Sequence, residues 1–233
     1  AQAALIFDYE SAWAWDAQPQ GADFEMFRLA FAAYRGLRRA GLNIDILPPD
    51  TADLSDYKLV LAPGIMSLSD PFRKALTTFK GIALIGPRTD TKTPELVIPN
   101  IMGPNLPNVD VTAILTESIP PNDKIKLQGG GRFRHWFEHL DGTAPVHLTT
   151  KDGLPAIMGG DHLRYLAGWP DDATFDKIIG GLCDTLDLDT FALPDGLRIR
   201  DTDTHRFVFN YAPTSQRWGD TIIPAAGVHW EKL

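Results

Sequence analysis

Acidic side chains stand where the first apolar run of the chain ends. Residues 3–8 read AALIFD, the pattern of a buried parallel strand closed by an Asp at its carboxyl end. Asp8, Glu10 and Asp16 lie in this region, and two carboxylates can act as acid and nucleophile on a glycosidic bond. Helix capping and solvation of a loop are the commoner roles for such residues. We therefore predict no catalytic pair here.

The same region is rich in aromatic residues. Tyr9, Trp13 and Trp15 lie among small and polar residues that run to Gly21, and we predict a loop over residues 9–21. Tryptophan rings pack flat on sugars and anchor protein interfaces, so these three side chains are candidate substrate-binding residues or part of a subunit contact. A small local core beneath the loop is the alternative, and the sequence leaves both open.

The other residues that could do chemistry favour structural roles. Cys183 lies mid-helix among Leu and Ile residues, so the nucleophilic elbow cysteine of a class I glutamine amidotransferase is missing. His135, Glu138 and His139 fit the inverted zinc order HxxEH, but we predict a strand there. The glycine runs at 129–131 and 159–160 lack the strand-to-helix setting of a phosphate loop. We predict no catalytic residue, no metal and no cofactor.

Composition argues against several classes of partner. The 233 residues are 44% hydrophobic and 22% charged, which is ordinary for a globular protein. The formal net charge is -8, and the densest basic patch is residues 35–39, which argues against nucleic acid. No apolar run approaches the roughly 20 residues that span a bilayer, so we expect no membrane contact. The single cysteine suits a reducing compartment, and we predict a cytoplasmic protein.

Strands and helices alternate through the first 90 residues. Apolar runs predict strands at 3–8, 44–47, 57–62 and 82–85. The first helix ends at Gly41, and its apolar face is marked at helical spacing by Phe24, Phe27, Phe31, Tyr34 and Leu37. Asp70 as N-cap and Pro71 open a second helix that runs to Phe79. The alternation predicts an open parallel α/β sheet of flavodoxin-like type.

The pattern changes after residue 86. A long loop is predicted at 87–108, and short antiparallel strands follow at 109–115, 124–127, 132–139, 146–150, 155–158 and 163–167. Residues 171–186 form the last amphipathic helix. A turn at 193–196 precedes a predicted β-hairpin and a tail with two more short strands. We divide the chain into a sheet domain, 1–192, and a small all-β module, 193–233, which is too short for an independent core.

Seven segments, taken in order, resemble the middle domain of glycoside hydrolase family 42 β-galactosidases. They are FDYESAWA at 7–14, LAPG at 61–64, GPRT at 86–89, WFEHL at 136–140, GLPA at 153–156, HLRYLAGWP at 162–170 and LPDGL at 193–197. No single segment is a strong motif, but the ordered set covers nearly the whole chain and is fairly specific. The chain also begins directly at its first strand, which fits a cut inside a longer polypeptide as well as it fits a trimmed start.

The resemblance implies a parent enzyme with three parts: a TIM barrel with two catalytic glutamates, a flavodoxin-like trimerisation domain and a small C-terminal β-domain. This chain is similar to the last two parts only. We therefore expect a non-catalytic portion that holds a homotrimer together, in a parent that hydrolyses terminal β-galactosides with retention.

In the family, the middle domain lies near the barrel mouth of the neighbouring subunit. The resemblance thus implies that Tyr9, Trp13 and Trp15 wall the neighbour's sugar pocket. A stand-alone flavodoxin-like module that binds a sugar or metabolite, with no hydrolase attached, is the alternative.

Overall fold

The computed structural model describes residues 1–21 and 23–233, which contain four helices and sixteen strands. The helices are α1 (Tyr9–Ala17), α2 (Met26–Arg39), α3 (Asp70–Thr78) and α4 (Asp172–Thr185). The first ten strands are β1 (Ala3–Ile6), β2 (Ile44–Leu47), β3 (Leu59–Ala62), β4 (Ile82–Ile85), β5 (Thr112–Ser118), β6 (Ile125–Lys126), β7 (Arg132–Asp141), β8 (Val146–Thr149), β9 (Pro155–Gly159) and β10 (Leu163–Leu166). The last six are β11 (Gly168–Pro170), β12 (Leu197–Asp201), β13 (His205–Asn210), β14 (Gln216–Trp218), β15 (Thr221–Ile223) and β16 (Val228–Lys232).

A seven-stranded sheet in the order β2-β1-β3-β4-β10-β9-β8 forms the centre of the molecule. Its first five strands are parallel, and β9 and β8 are antiparallel additions. The prediction of an α/β fold on a mainly parallel sheet is confirmed. The antiparallel strand predicted at 163–167 is confirmed in its pairing with β9, but its other neighbour is β4, to which β10 runs parallel.

A second, antiparallel sheet in the order β11-β7-β5 packs beside the first, with β6 paired to β7. Its longest strand, β7, includes the histidines of the HxxEH segment, so the predicted strand is confirmed there. Along a strand, His135 and His139 stand about 13 Å apart, at roughly 3.3 Å per residue. That separation is too large for the two side chains to share a zinc ion in the manner of a helical pair.

Helix α2 buries only part of the apolar face that the spacing predicts. Leu37 is buried, and so is Phe24 just before the helix, but Phe27 and Phe31 are exposed and small residues such as Ala33 face the core. The reason is close packing on α4: a Cβ at Gly36 would lie only 2.6 Å from the Cδ1 atom of Ile179. Bulky rings could not face so near a neighbouring helix, and they lie on the solvent side instead.

Residues 9–17 form helix α1, so the prediction of a loop over 9–21 is wrong for this part. Asp8 caps the helix by accepting hydrogen bonds from the backbone N–H groups of Glu10 and Ser11. The segment YESAWAWDA contains neither glycine nor proline, and Pro19 comes only after the last turn. The aromatic content suggested an exposed loop, but the N-cap and the alanines decide the local structure.

The later helices also begin at side-chain caps. The hydroxyl of Ser69 accepts a hydrogen bond from the N–H of Phe72, so Ser69 is the N-cap of α3 and the predicted cap, Asp70, is the first helical residue. Asp171 caps α4 by accepting from the N–H of Thr174. The helix predicted at 171–186 is confirmed, with Phe175, Ile179 and Leu182 buried. No helix in the described part of the chain is long and apolar enough to cross a membrane.

Strands β12 to β16 form a terminal module with its own small core. The buried side chains of this core are Leu197, Ile199, Val208 and Ile223. The module lies against the end of α2, where the guanidinium of Arg38 donates to the carbonyl of Ile199 over 2.8 Å. The predicted hairpin is confirmed as β12–β13, and the tail contributes three further strands, one more than expected.

The only cysteine provides a test of this packing. Cys183 is fully buried on α4, and burial raises the pKa of its thiol to about 11. We expect a disulfide reagent such as Ellman's reagent to react at least about 100-fold more slowly with the native chain at pH 7 than with the chain in guanidinium, because the thiolate is both scarce and inaccessible. Rapid stoichiometric labelling of the native chain would contradict the placement of α4.

Candidate functional site

The carboxyl ends of β1, β3 and β4 meet at one edge of the central sheet, and helix α1 crosses this edge. Asp8 follows β1, Gly64 follows β3 and Arg88 follows β4. Ligands of open α/β sheets bind at such edges, and the candidate carboxylates Asp8, Glu10 and Asp16 lie on this side of the sheet. Asp8 is buried and fully engaged: besides the two backbone groups, it accepts a hydrogen bond from the hydroxyl of Ser11. It serves as a helix cap, while Glu10 and Asp16 are exposed.

The two tryptophans of α1 point in opposite directions. Trp15 is fully buried, its indole N–H donates to the carbonyl of Gly64 over 3.1 Å, and its ring stacks on Phe24 at 4.7 Å. Trp13 is 65% exposed and Tyr9 69% exposed. Side chains two positions apart on a helix are rotated by about 200° around its axis, so Trp13 and Trp15 cannot share a face. Trp15 anchors the helix, and Tyr9 and Trp13 remain available to a partner or ligand.

Beneath α1 lies a buried arginine surrounded by aromatic rings. The guanidinium carbon of Arg88 is 4.6 Å from the ring centre of Trp15, 5.3 Å from that of Phe24 and 5.1 Å from that of Trp136. Each contact places a cation over an electron-rich ring face, and such contacts strengthen when water is excluded. The same arginine thus joins α1, the turn after β4, and β7.

A buried carboxylate compensates this cation. Glu138 accepts hydrogen bonds from the backbone N–H of Arg88 at 2.9 Å, the indole N–H of Trp136 at 2.9 Å and the hydroxyl of Tyr165 at 2.6 Å. Burial raises the pKa of Glu138, and the three donors and the Arg88 charge oppose that rise. Burial and the nearby carboxylate raise the pKa of Tyr165 well above its ordinary value, which keeps its hydroxyl protonated as a donor.

Sequence reasoning missed this buried cluster. The signals were present in the GPRT turn and the WFEHL strand, but Arg88 and Glu138 are 50 positions apart and nothing local links them. In the sequence, Glu138 belongs to the inverted zinc order and to the WFEHL segment, and neither pattern points to Arg88 as its neighbour. Among the residues that the structure describes, no group of three or more His, Cys, Asp or Glu side chains could hold a metal ion.

Next to α1 the sheet edge carries an open groove of about 620 Å³. Its wall includes Tyr9 and Glu10 of α1, Ile46 of β2, Asp50, and Leu96 from the loop after β4. Carboxylates and an aromatic ring beside apolar side chains could hold a small polar molecule. Trp13 does not line this groove, although it lies four residues after Tyr9 and so on the same side of α1, whereas Trp15 is buried on the other side.

An aromatic strip extends from the groove along α2. Successive ring centres are 5.0 Å apart for Phe7 and Tyr9, 6.2 Å for Phe7 and Phe27, 6.0 Å for Phe27 and Phe31, and 6.3 Å for Phe31 and Tyr34. Tyr9, Phe27 and Phe31 are exposed. Exposed apolar surfaces of this kind are typical of protein contacts.

The polar groups at this edge of the sheet hold α1 in place, and the aromatic strip beside them is left exposed. Comparison with known proteins gives the family. Residues 1–189 match the model of the beta-galactosidase trimerisation domain, glycoside hydrolase family 42, and the chain belongs to this family. The prediction made from the seven ordered segments is confirmed.

Relatives match over nearly the whole chain but only part of their own length. A Thermus thermophilus beta-galactosidase is 34% identical over 218 residues, which cover 91% of this chain and 34% of that protein. A Halorubrum lacusprofundi beta-galactosidase is 32% identical, covering 93% of this chain and 35% of that protein. The crystal structure of a Marinomonas ef1 beta-galactosidase aligns with a TM-score of 0.91 at 28% identity, covering 99% of this chain and 37% of that chain. This chain therefore spans about a third of the length of these relatives.

The caged arginine is expected to determine stability. The variant Arg88→Met has a similar side-chain volume but loses the cation that lies over three rings and whose charge favours the ionised Glu138, which should lower the free energy of unfolding by about 2–3 kcal/mol. The exposed residue Arg217 supplies a matched control, because Arg217→Met should change stability by less than about 0.5 kcal/mol. Urea denaturation measures both, and equal stabilities for the two variants would contradict the role of the cage.

Proposed function

We propose that this chain is the non-catalytic portion of a homotrimeric β-galactosidase and assembles the trimer. The family match over residues 1–189 carries the proposal. The exposed aromatic strip supports it, because rings of this number and spacing are seldom left in water by a protein that works as a monomer. Catalysis would reside in the part of the relatives' length that this chain does not span, where the parent would hydrolyse terminal β-galactosides with retention.

We also assign the sheet to the flavodoxin-like type. The parallel strands follow the order β2-β1-β3-β4-β10, which corresponds to the order 2-1-3-4-5 of that type. Strands β12 to β16, with their separate core, then form the small all-β module, and the boundary at 192/193 precedes its first strand. The single, buried cysteine supports a cytoplasmic location, where thiols stay reduced.

Tyr9 and Trp13 are proposed to wall the sugar pocket of the neighbouring subunit. Both rings are exposed on α1 at the carboxyl edge of the sheet, and the Arg88 cage fixes the helix from below through Trp15. A fixed aromatic side chain can pack on the apolar face of a galactose ring at little entropic cost. Trp15 is part of the anchor in this arrangement and does not itself contact sugar.

A second candidate function rests on the groove of about 620 Å³ beside Tyr9. Its position at the carboxyl edge of the parallel strands is where flavodoxin-like proteins hold small ligands. Glu10 and Asp50 could accept hydrogen bonds from sugar hydroxyls there. On this view the chain would be a stand-alone module for a sugar or metabolite.

Sedimentation velocity separates the two candidates. We expect the chain at micromolar concentration to sediment as a species of three times its 25.7 kDa mass. A chain that stays monomeric at every concentration contradicts the assembly role. A monomer whose tryptophan fluorescence responds saturably to galactose would favour the binding module instead.

Kinetics test the role of Trp13 in the full-length enzyme. Trp13→Ala should raise KM for a β-galactoside about 3–10-fold, the loss of an aromatic contact worth about 1 kcal/mol. kcat should change little, because Trp13 does not contact the reacting atoms. Ile222→Ala, at an exposed apolar side chain of the terminal module, is the matched control and should leave both constants unchanged. Unchanged kinetics and unchanged assembly in Trp13→Ala would contradict the proposal that Trp13 lines the sugar pocket of the neighbouring subunit.

A further inference from the structure

The terminal module presents a second aromatic surface, which lies outside the residues matched by the family model. Strands β12, β13 and β16 form one sheet, and Ile199 and Val208 bury its inner face. Alternate residues therefore point outward. The outer face carries Phe207, Phe209, Tyr211, Val228 and Trp230, with Phe207 directly opposite Trp230 and Phe209 opposite Val228.

This terminal face is apolar at its centre and basic around it. Trp230 is 59% exposed, and Phe207, Phe209 and Tyr211 stack in sequence with ring centres 6.4 and 6.1 Å apart. Arg198 and Arg200 lie on β12 opposite Phe209 and Phe207, and the alternation of β16 places Lys232 on the same face. None of these outward positions is acidic, although acidic residues outnumber basic ones in the chain. A surface that binds the terminal face should therefore be apolar and acidic.

The loop after β4 provides such a surface. Leu96, Val97, Ile98, Ile101 and Met102 are all exposed, with Ile98 at 79%. The loop packs on β5, where the N–H of Ala113 donates to the carbonyl of Gly103 over 2.9 Å, and Ile114 and Leu115 extend the apolar area. We call this the loop face.

The charges of the loop and of the chain that flanks it are more often negative than positive. Glu95, Asp110 and Glu117 are exposed, against Lys92 and Arg73, which donates to the carbonyl of Asn105; Glu117 also contacts His139. The loop face therefore matches the terminal face both in apolar character and in charge. Complementary potentials of this kind fix the register and the choice of partner in protein interfaces.

The two faces lie at opposite ends of the central sheet. The terminal module contacts the chain just before β2, where the side-chain amide of Asn43 donates to the carbonyl of Asp201 over 2.7 Å. The loop face follows the carboxyl end of β4, whereas Asn43 lies at the amino end of the parallel strands. One copy cannot bring its own two faces together, whereas a head-to-tail contact between copies can. A cyclic trimer requires this arrangement, in which each subunit uses two different surfaces.

We propose that the terminal face of one copy docks on the loop face of the next and closes the trimer. The inference rests on the proposed self-association and adds the surfaces that carry it. It assigns an assembly role to the terminal module, which the family model leaves out. Trp230 and Ile98, exposed near the centres of the two faces, would be the residues on which binding depends most.

Three single variants and one mixture test the proposal by sedimentation velocity. Trp230→Asp and Ile98→Asp should each weaken self-association at least about 30-fold, the change typical of a central interface residue. Ile222→Asp, at an exposed position of the same module outside the terminal face, should assemble like wild type. Circular dichroism should show the same secondary structure in all three, because each side chain is exposed.

Mixing the two disrupted variants is the decisive measurement. The intact terminal face of Ile98→Asp can meet the intact loop face of Trp230→Asp, so an equimolar mixture should form dimers that neither variant forms alone. A mixture that stays monomeric overturns the head-to-tail pairing. If both variants assemble like wild type, the terminal face and the loop face are not the contact surfaces, and the proposed trimer is unaffected. A monomeric wild type overturns both proposals together.

Discussion

The carboxyl edge of the sheet depends on one buried charge. Arg88 sits among three aromatic rings from three separate parts of the chain, and Glu138 provides its counter-charge while accepting three hydrogen bonds. The donors from Trp136 and Tyr165, with the backbone N–H of Arg88, satisfy the Glu138 carboxylate. The guanidinium of Arg88 makes no direct ion pair with it: its Nη1 atom is buried without a hydrogen-bond partner among the residues that the structure describes, and the aromatic rings are its main surroundings. The geometry of α1, and hence of every side chain on its outer face, follows from this cluster.

The division of aromatic residues between core and surface gives the domain its character. Rings that hold α1 in place, such as Trp15 and Phe24, are buried around the cation. Rings on the outward faces of α1 and α2, such as Trp13 and Phe27, are exposed to solvent. The terminal sheet repeats the pattern, with aliphatic side chains inside and rings outside. The exposed aromatic residues of this domain therefore lie on outer surfaces that another protein could contact.

The elements of the fold were largely predictable because they depend on local patterns. Continuous apolar runs marked β1, β3 and β4, and helical spacing marked α4. Two predictions failed for the same reason. Aromatic residues were taken as a loop in α1 and as the buried face in α2, yet aromatic content does not say which side of a helix meets the core. In α2 the close approach of α4 decides it.

By itself, the sequence determined the fold class, the order of the elements and, through seven short segments, the family. Each of these depends on patterns among residues that are close together in the sequence. The tertiary structure alone decided that Arg88 and Glu138 meet, that Trp15 is buried while Trp13 is exposed, and that two complementary faces lie at opposite ends of the sheet. Each of these depends on which distant segments pack together, and that choice is made by the whole core at once.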